Sequence, residues 1–205
     1  MKRSLVSRRG WSGLGSVLAG LALSISATYA AGKPNVDFKL TYYPVSGTTL
    51  SEIQRSISVN TPSREGNTYY AGVTIWSLSS TYELLTTPEG CRVDNGQVFL
   101  DVRVHLPLLS DSSGLSTPAL NEWNRFTNSL KVHEMLHAQN AYRAADNLLR
   151  KVNGTKTTVP CARARVIAEQ ATSTLITRIA DFDLQFDKKT NHGASQGAVL
   201  DTSIR

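Results

Sequence analysis

Two histidines and one glutamate in the second half of the chain have the types and spacing of a metal-dependent hydrolytic site. His133 and His137 are four residues apart, so in a helix both imidazoles project from one face and can bind one ion. Glu134 lies about 100° further round the helix, where its carboxylate can approach a water on the metal. This His-Glu-x-x-His pattern predicts one Zn²⁺, which lowers the pKa of its water to about 7, with Glu134 as the catalytic base.

A motif this short also arises by chance, in which case the two histidines are ordinary core or surface residues beside an incidental glutamate. Phe126 and Leu130 precede His133 by seven and three residues and extend the same helix face with apolar side chains. This periodicity indicates that the histidines face inward, where a metal site would be shielded from solvent.

A hydrolytic zinc site needs a third protein ligand and an open coordination position. The chain has four histidines, and we expect His192 to be the third ligand because it directly follows the second predicted helix. Gly193 gives the backbone the freedom to present it. Asp187 is a candidate for a hydrogen bond to a ligating histidine. The alternative third ligands are Glu169 or another carboxylate, and His105.

Two further residues are candidates for stabilising an oxyanion in the reaction. They are His105, which ends a predicted strand, and Tyr142 on the long predicted helix. In zinc proteases a strand that lines the cleft pairs with an extended substrate. The simpler interpretation is a surface histidine and a packing tyrosine.

The elements that must position these residues divide into a β-rich first half and a helical second half. Alternating or β-branched residues predict strands over residues 36–43, 69–82 and 97–106. We expect helices over residues 49–58, from 116 or 117 to about 152, and over about 160–186. Strands followed by helices predict an α+β fold, with a small antiparallel sheet packed against a long active-site helix and a second C-terminal helix.

The first thirty residues have the pattern of an export signal. Basic residues within 1–10 precede an apolar stretch over 14–25, and Thr28 and Ala30 suit the −3 and −1 positions of a cleavage site. The apolar stretch is short and rich in Gly and Ser, which favours cleavage over an uncleaved membrane anchor.

The chain is therefore divided into a signal peptide, residues 1–30, and a single zinc metalloprotease-like domain, residues 31–205. Residues 7–11 also resemble a twin-arginine signal, and the general secretion route is the alternative. Either route predicts a periplasmic or secreted protein with no stable membrane association after cleavage.

The net charge of +6 at first invites a nucleic-acid interpretation. Four of the 22 basic residues and none of the 16 acidic ones lie in the predicted signal, which leaves a nearly balanced mature chain. A surface with this charge gives no reason to expect a nucleic-acid partner.

Cys91 and Cys161 are the only cysteines. In an oxidising compartment an even pair predicts one disulfide, worth about 2–4 kcal/mol. Two separate buried thiols are the alternative, which suits a cytoplasmic protein better.

Several segments share their pattern with one bacterial family. They are residues 42–50, the strand containing Trp76, Cys91 before the strand that ends at Leu106 and Pro107, and residues 123–126, 133–137 and 186–193. On these segments the chain resembles the predicted secreted zinc-dependent proteases, a family long described as a domain of unknown function, over about residues 37–199. The family commonly has Tyr-Asp where this chain has Phe186-Asp187. The resemblance implies secretion, zinc, the roles given above to His133, Glu134 and His137, and a minimal zincin-like fold, and it supports His192.

The sequence thus predicts an exported zinc metalloprotease that is metalloendopeptidase-like and acts on a peptide or protein substrate. Two alternatives remain, a non-catalytic exported zinc-binding or interaction module and a cell-wall amide hydrolase. Glu134 argues against the first, because a structural zinc site has no need of that carboxylate.

Overall fold

Regular secondary structure accounts for most of the chain that the computed structural model describes, which is residues 32–154 and 156–205. In chain order the elements are β1 (Asn35–Val45), α1 (Leu50–Asn60), β2 (Ser63–Glu65), β3 (Thr68–Tyr70), β4 (Val73–Thr87), β5 (Gly90–Leu109), α2 (Thr117–Gly154), β6 (Lys156–Thr157), α3 (Cys161–Thr190) and a single 3-10 turn (Ala194–Gln196). The predicted signal peptide, residues 1–30, lies outside the described residues. None of the helices in these ranges has a stretch apolar and long enough to cross a membrane.

The main sheet has β5 at its centre, with β1 on one side and β4 on the other. The α+β class and the two long helices are confirmed, but the sheet is mixed and not wholly antiparallel. β4 pairs antiparallel with β5, and β1 pairs parallel with it. A parallel pair requires a long crossover connection, which residues 46–89 supply through α1, β2, β3 and β4.

Two strands differ from the sequence prediction. The first residues of the strand predicted over 69–82 belong to the separate β2–β3 hairpin, which turns at Gly66 with φ 59°. A glycine at the first central position of a two-residue turn suits this geometry. The strand predicted over 97–106 begins already at Gly90, and Asn95 forms a bulge inside it, since Asn95 has φ 49° and the register with β4 shifts there. The hairpin that joins β4 to β5 turns at residues 88–89.

The core lies between the sheet and one face of α2. The inward face of β5 carries the buried residues Val98, Leu100, Val102, Val104 and Leu106. The facing side of α2 carries the buried residues Phe126, Leu130, Ala141, Ala145 and Leu148, and with His133 and His137 among them the spacing is three or four throughout. His133 and His137 belong to this same face, so packing of the helix on the sheet also buries the two imidazoles.

The disulfide Cys91–Cys161 is confirmed. It joins the start of β5 to the first residue of α3, and β6 pairs with β5 beside it. Most side chains in the first half of α3 are exposed, so the disulfide is a main attachment of that half to the sheet. The other half of α3 runs back across α2 and brings its last turn to the two histidines.

Hydrogen bonds hold the segment after α3 against the first turns of α2. The Arg125 guanidinium donates hydrogen bonds to the carbonyls of Gly197 (2.7 Å) and Val199 (2.6 Å). The Glu122 carboxylate accepts two hydrogen bonds from Arg125 and one from the Asp201 amide. We call residues 193–201 the C-terminal clamp, since they are held in this way against α2.

The hydrogen bonds of Glu122 in the clamp predict how the stability of the protein changes at acid pH. The hydrogen bonds from Arg125, followed by that from the Asp201 amide, hold the pKa of the buried Glu122 carboxyl below its usual range. A lowered native pKa contributes stability above the unfolded value of about 4.3, and this contribution is lost as the pH falls through the native pKa. At pH 7 we expect Glu122→Gln to cost about 1–2 kcal/mol and to lower Tm by about 3–6 °C.

The difference between Glu122→Gln and the wild type should shrink between pH 5 and pH 3, which melting curves followed by circular dichroism can measure. Asp146→Asn is the matched control, because Asp146 pairs with Arg150 on the surface of the same helix. An ion pair on the surface contributes little to the free energy of unfolding. Equal effects of the two substitutions at every pH would contradict the role given to Glu122.

Candidate metal centre

Three side chains from two helices meet at one point. Helix α2 supplies His133 and His137, and the last turn of α3 supplies Asp187. The two Nε2 atoms are 3.4 Å apart, and the Asp187 Oδ1 atom lies 3.1 Å from that of His133 and 2.9 Å from that of His137. Ligand atoms about 2.0–2.2 Å from a tetrahedral ion are about 3.3 Å from one another. The observed spacing therefore suits a metal ion with two nitrogen ligands and one oxygen ligand.

The remaining ring nitrogens fix the tautomers of both histidines. His133 Nδ1 is 2.8 Å from the Gln196 side-chain oxygen, and His137 Nδ1 is 3.0 Å from Asp183 Oδ1. An amide oxygen and a carboxylate only accept hydrogen bonds, so each Nδ1 must carry the hydrogen. A metal ion between the rings and Asp187 Oδ1 would bind the two Nε2 lone pairs, whereas a hydrogen on Nε2 is donated to Asp187 when no ion is bound.

Asp183 is a fully buried carboxylate that supports His137 from behind. The Trp76 indole donates a hydrogen bond to its Oδ2 (2.8 Å), and the Asn140 amide donates to its Oδ1 (3.4 Å). Burying a carboxylate is costly unless it has such partners. Trp76 lies on β4, Asn140 on α2 and Asp183 on α3, so each partner is held by its own helix or strand. The network therefore fixes the orientation of the His137 ring.

Glu134 is buried beside the cluster but is not part of it. The Thr74 hydroxyl contacts both the Glu134 carbonyl (2.9 Å) and its Oε2 (2.8 Å). Gly72 lets the backbone approach the same carboxylate, since a Cβ atom there would be 2.7 Å from Oε1. Burial raises the pKa of Glu134, and the hydrogen bond from Thr74 and the nearby histidines offset this only in part. A raised pKa suits a group that exchanges protons near neutral pH.

The charges around the cluster favour a bound cation. Burial opposes a charge on His137, but the hydrogen bonds and charges of Asp183 and Asp187 outweigh it and raise the pKa of His137 to about 10. Burial likewise opposes ionisation of Asp187, yet its hydrogen bonds to His133 and His137 hold the pKa of that carboxyl well below its usual range. The carboxyl groups of Asp183 and Asp187 thus flank one imidazole, and this arrangement attracts either a proton or a metal ion to the site.

Phe186 covers one side of the two imidazoles. Its ring stacks on His133 with centroids 5.1 Å apart and an interplanar angle of 13°, and it meets His137 edge to face at 5.1 Å. An apolar ring in contact with both histidines excludes water from this side and strengthens their interactions with a bound ion.

The structure thus brings together His133, His137 and Glu134 as the motif predicts, and it places Asp187 in the third position. His192 lies outside the group of three, with its Nδ1 3.8 Å from Asp187 Oδ2. The reason is that α3 continues to Thr190, past its predicted end at 186, so Asp187 is on the helix and faces α2. A sequence signal for this existed: Asp183 and Asp187 have the same spacing of four as His133 and His137.

The other candidates lie away from the cluster. Glu169 is exposed on α3, fourteen residues before Asp183, which is about 20 Å along a helix. His105 points to the outer face of the sheet, where its Nδ1 is 2.6 Å from the Thr41 hydroxyl, because its neighbours Val104 and Leu106 face the core. Tyr142 is exposed on α2 and is about 140° round the helix from His137.

The cluster predicts which carboxylate binds the metal. We expect Asp187→Asn to weaken Zn²⁺ binding more than about 100-fold, and Asp183→Asn to weaken it about 10–100-fold through the orientation of His137. Titration against a chromophoric chelator measures both affinities. Zn²⁺ should also raise the Tm of the wild type and not that of Asp187→Asn.

Asp181→Asn is the matched control, because Asp181 is exposed on the same helix only two residues before Asp183. It should bind Zn²⁺ like the wild type. An unchanged affinity in Asp187→Asn would show that this carboxylate is not a ligand.

Comparison with known proteins identifies the family to which the chain belongs. A family model described as "Bacterial protein of unknown function (DUF922)" matches residues 40–193, which is more than half of the chain. No curated protein and no solved structure matches. The matched residues include the whole cluster and Glu134, and the description names neither a metal nor a reaction. The chain therefore belongs to the bacterial family of unknown function DUF922.

Proposed function

We propose that this protein is an exported zinc-dependent peptidase that is metalloendopeptidase-like and hydrolyses peptide bonds with Glu134 as the general base. The observation that carries the proposal is the convergence of His133 Nε2, His137 Nε2 and Asp187 Oδ1 beside the buried Glu134 carboxylate. Both Nδ1 atoms are already hydrogen-bonded to Gln196 and Asp183, so the Nε2 atoms are the ring nitrogens that can bind a metal ion.

The donor set favours zinc. Two imidazole nitrogens and one carboxylate oxygen match the three protein ligands of many catalytic zinc sites, whereas Ca²⁺ and Mg²⁺ prefer six or more oxygen ligands. Among the described residues no fourth His, Cys, Asp or Glu belongs to the group. A structural zinc site is usually closed by four protein ligands, so this set supports a catalytic role.

The chain's own groups suit proton transfer during hydrolysis. A bound zinc ion supplies a Lewis acid that makes water more acidic and polarises a carbonyl group. Thr74 holds Oε2 of Glu134, so Oε1 is the atom free to take a proton. As the water oxygen bonds to the carbonyl carbon, its proton moves to Oε1. When the C–N bond breaks, Glu134 returns that proton to the amine nitrogen, and an acid and an amine result.

Export is part of the proposal. The Cys91–Cys161 disulfide supports it, since disulfides persist in oxidising compartments such as the periplasm or the extracellular space. The N-terminal pattern of residues 1–30 supports it independently. Peptides and the peptide stems of cell walls are both available in these compartments.

The decisive substitution is Glu134→Gln, which keeps the shape of the side chain and removes its basicity. We expect kcat/KM on a fluorescent casein substrate to fall about 10²–10⁴-fold, while Zn²⁺ binding stays near one equivalent. Glu169→Gln is the control, because Glu169 is exposed and far from the cluster. If Glu134→Gln cleaves every accepted substrate at the wild-type rate, the general-base role is wrong.

The same assay separates the alternatives to a peptidase. Release of soluble fragments from purified peptidoglycan, with no casein cleavage, would identify a cell-wall amide hydrolase with the same chemistry. Tight Zn²⁺ binding with no hydrolysis of either substrate would identify a non-catalytic zinc-binding module.

A further inference from the structure

His192 has an unusual backbone conformation next to the cluster. Asn191, His192 and Gly193 have φ values of 50°, 51° and 81°, three consecutive residues in the left-handed region. Residues other than glycine rarely adopt this conformation, and it persists only where the surrounding structure holds it. Where such residues occur together, they often mark a functional site.

Hydrogen bonds around the turn hold this conformation. The His192 amide donates to the Asp187 carbonyl (2.8 Å), and the Gly193 amide donates to the Thr190 hydroxyl (3.2 Å). Gly193 packs so closely on His133 that a Cβ atom there would lie 2.9 Å from the His133 ring. The turn therefore carries the chain tightly over the cluster and leaves the His192 imidazole at its edge.

The imidazole of His192 is placed at the edge of the cluster and in contact with solvent. Its Nδ1 is 3.8 Å from Asp187 Oδ2, the carboxylate oxygen that does not contact His133 or His137, and 47% of its side chain is exposed. One face of the ring packs on Tyr70, with centroids 4.5 Å apart. The ring is thus held from one side and accessible from the other.

Residues 70–72 connect His192 with Glu134. Tyr70 contacts His192 at one end of this segment, and Gly72 approaches the Glu134 carboxylate at the other. Two residues of extended chain span at most about 7 Å. Hydrogen bonds from side chains to the carbonyls of Tyr70 and Ala71 hold the segment in place. His192 and Glu134 therefore flank the same short stretch beside the cluster.

Hydrolysis of an amide builds negative charge on the carbonyl oxygen, and a hydrogen-bond donor aimed at this oxygen lowers the barrier. His105 and Tyr142 point elsewhere, and the rings of His133 and His137 are fully used by the cluster and its supports. Of the four histidines, His192 is the one whose ring remains accessible at the edge of the cluster.

We propose that His192 donates a hydrogen bond to the carbonyl oxygen of the scissile amide, with Tyr70 as the positioning residue for its ring. The inference rests on the proposed hydrolase function. As the water oxygen bonds to the carbonyl carbon and its proton passes to Glu134, the π electron pair moves onto the carbonyl oxygen. The ring N–H of His192 donates to that oxygen until the C–N bond breaks and the pair returns. His192 neither gains nor loses a proton in this sequence.

The test compares His192→Leu, which removes the donor, with His192→Gln, which keeps an N–H donor on a similar side chain. His192→Leu should lower kcat about 10²–10³-fold with little change in KM. His192→Gln should recover part of that loss. Zn²⁺ affinity should stay within a few-fold of the wild type in both. His105→Leu is the matched control and should keep wild-type kcat.

A second readout does not depend on turnover. A phosphinic peptide has a tetrahedral, negatively charged centre that resembles the reacting carbonyl, and its Kd can be measured calorimetrically with the zinc-loaded protein. His192→Leu should weaken its binding about 100-fold and the binding of an uncleaved product peptide only a few-fold. Tyr70→Ala should lower kcat in the wild type but add little in the His192→Leu background, because the two residues act through one ring.

The outcomes distinguish this inference from the proposed function. Hydrolysis that is lost in Glu134→Gln but intact in His192→Leu overturns the role of His192 alone. Loss of Zn²⁺ binding in His192→Leu would make His192 a metal ligand and also overturn the inference. A wild type that binds Zn²⁺ and cleaves neither casein nor peptidoglycan overturns both.

Discussion

Helix α2 packs on the sheet along a single face, and that face carries His133 and His137 among apolar residues. Burial removes the two imidazoles from water, so each ring nitrogen needs a protein partner or a bound ion. The partners come from distant parts of the chain, Asp183 and Asp187 from α3 and Gln196 from the C-terminal clamp. The placement of α3 and of the clamp thus follows from the need to satisfy two polar residues on a core face.

Local sequence patterns predict α2 and the middle of each long strand well, because each carries a complete apolar period. They miss the ends of β4 and β5, which extend to a hairpin at residues 88–89. They also predict the metal motif, since the spacing of His133, Glu134 and His137 has meaning within one helix. The position of Asp187 depends on how α3 is aligned with α2, and α3 has few buried residues to reveal its inward face. The parallel pairing of β1 depends in the same way on a contact between segments far apart in sequence, which no local pattern encodes.

Either a proton or a metal ion can balance the charges at the centre. Two carboxylates beside His137 raise its pKa to about 10, so a proton balances them when no metal is bound. A metal ion at the same place replaces that proton, and binding is therefore linked to proton release. The buried Glu134 carboxylate lies next to this site and accepts a hydrogen bond from Thr74. It is not one of the three potential metal ligands. Its freedom from the cluster is what suits it to proton transfer.

The C-terminal clamp has a consequence for metal binding. Gln196 supplies the acceptor that fixes the His133 tautomer, and it lies in a segment that follows every other part of the centre in the chain. Without that contact, either nitrogen of His133 can carry the hydrogen, and its lone pair need not face the ion. The metal affinity proposed for the centre thus depends on a segment that supplies no ligand of its own.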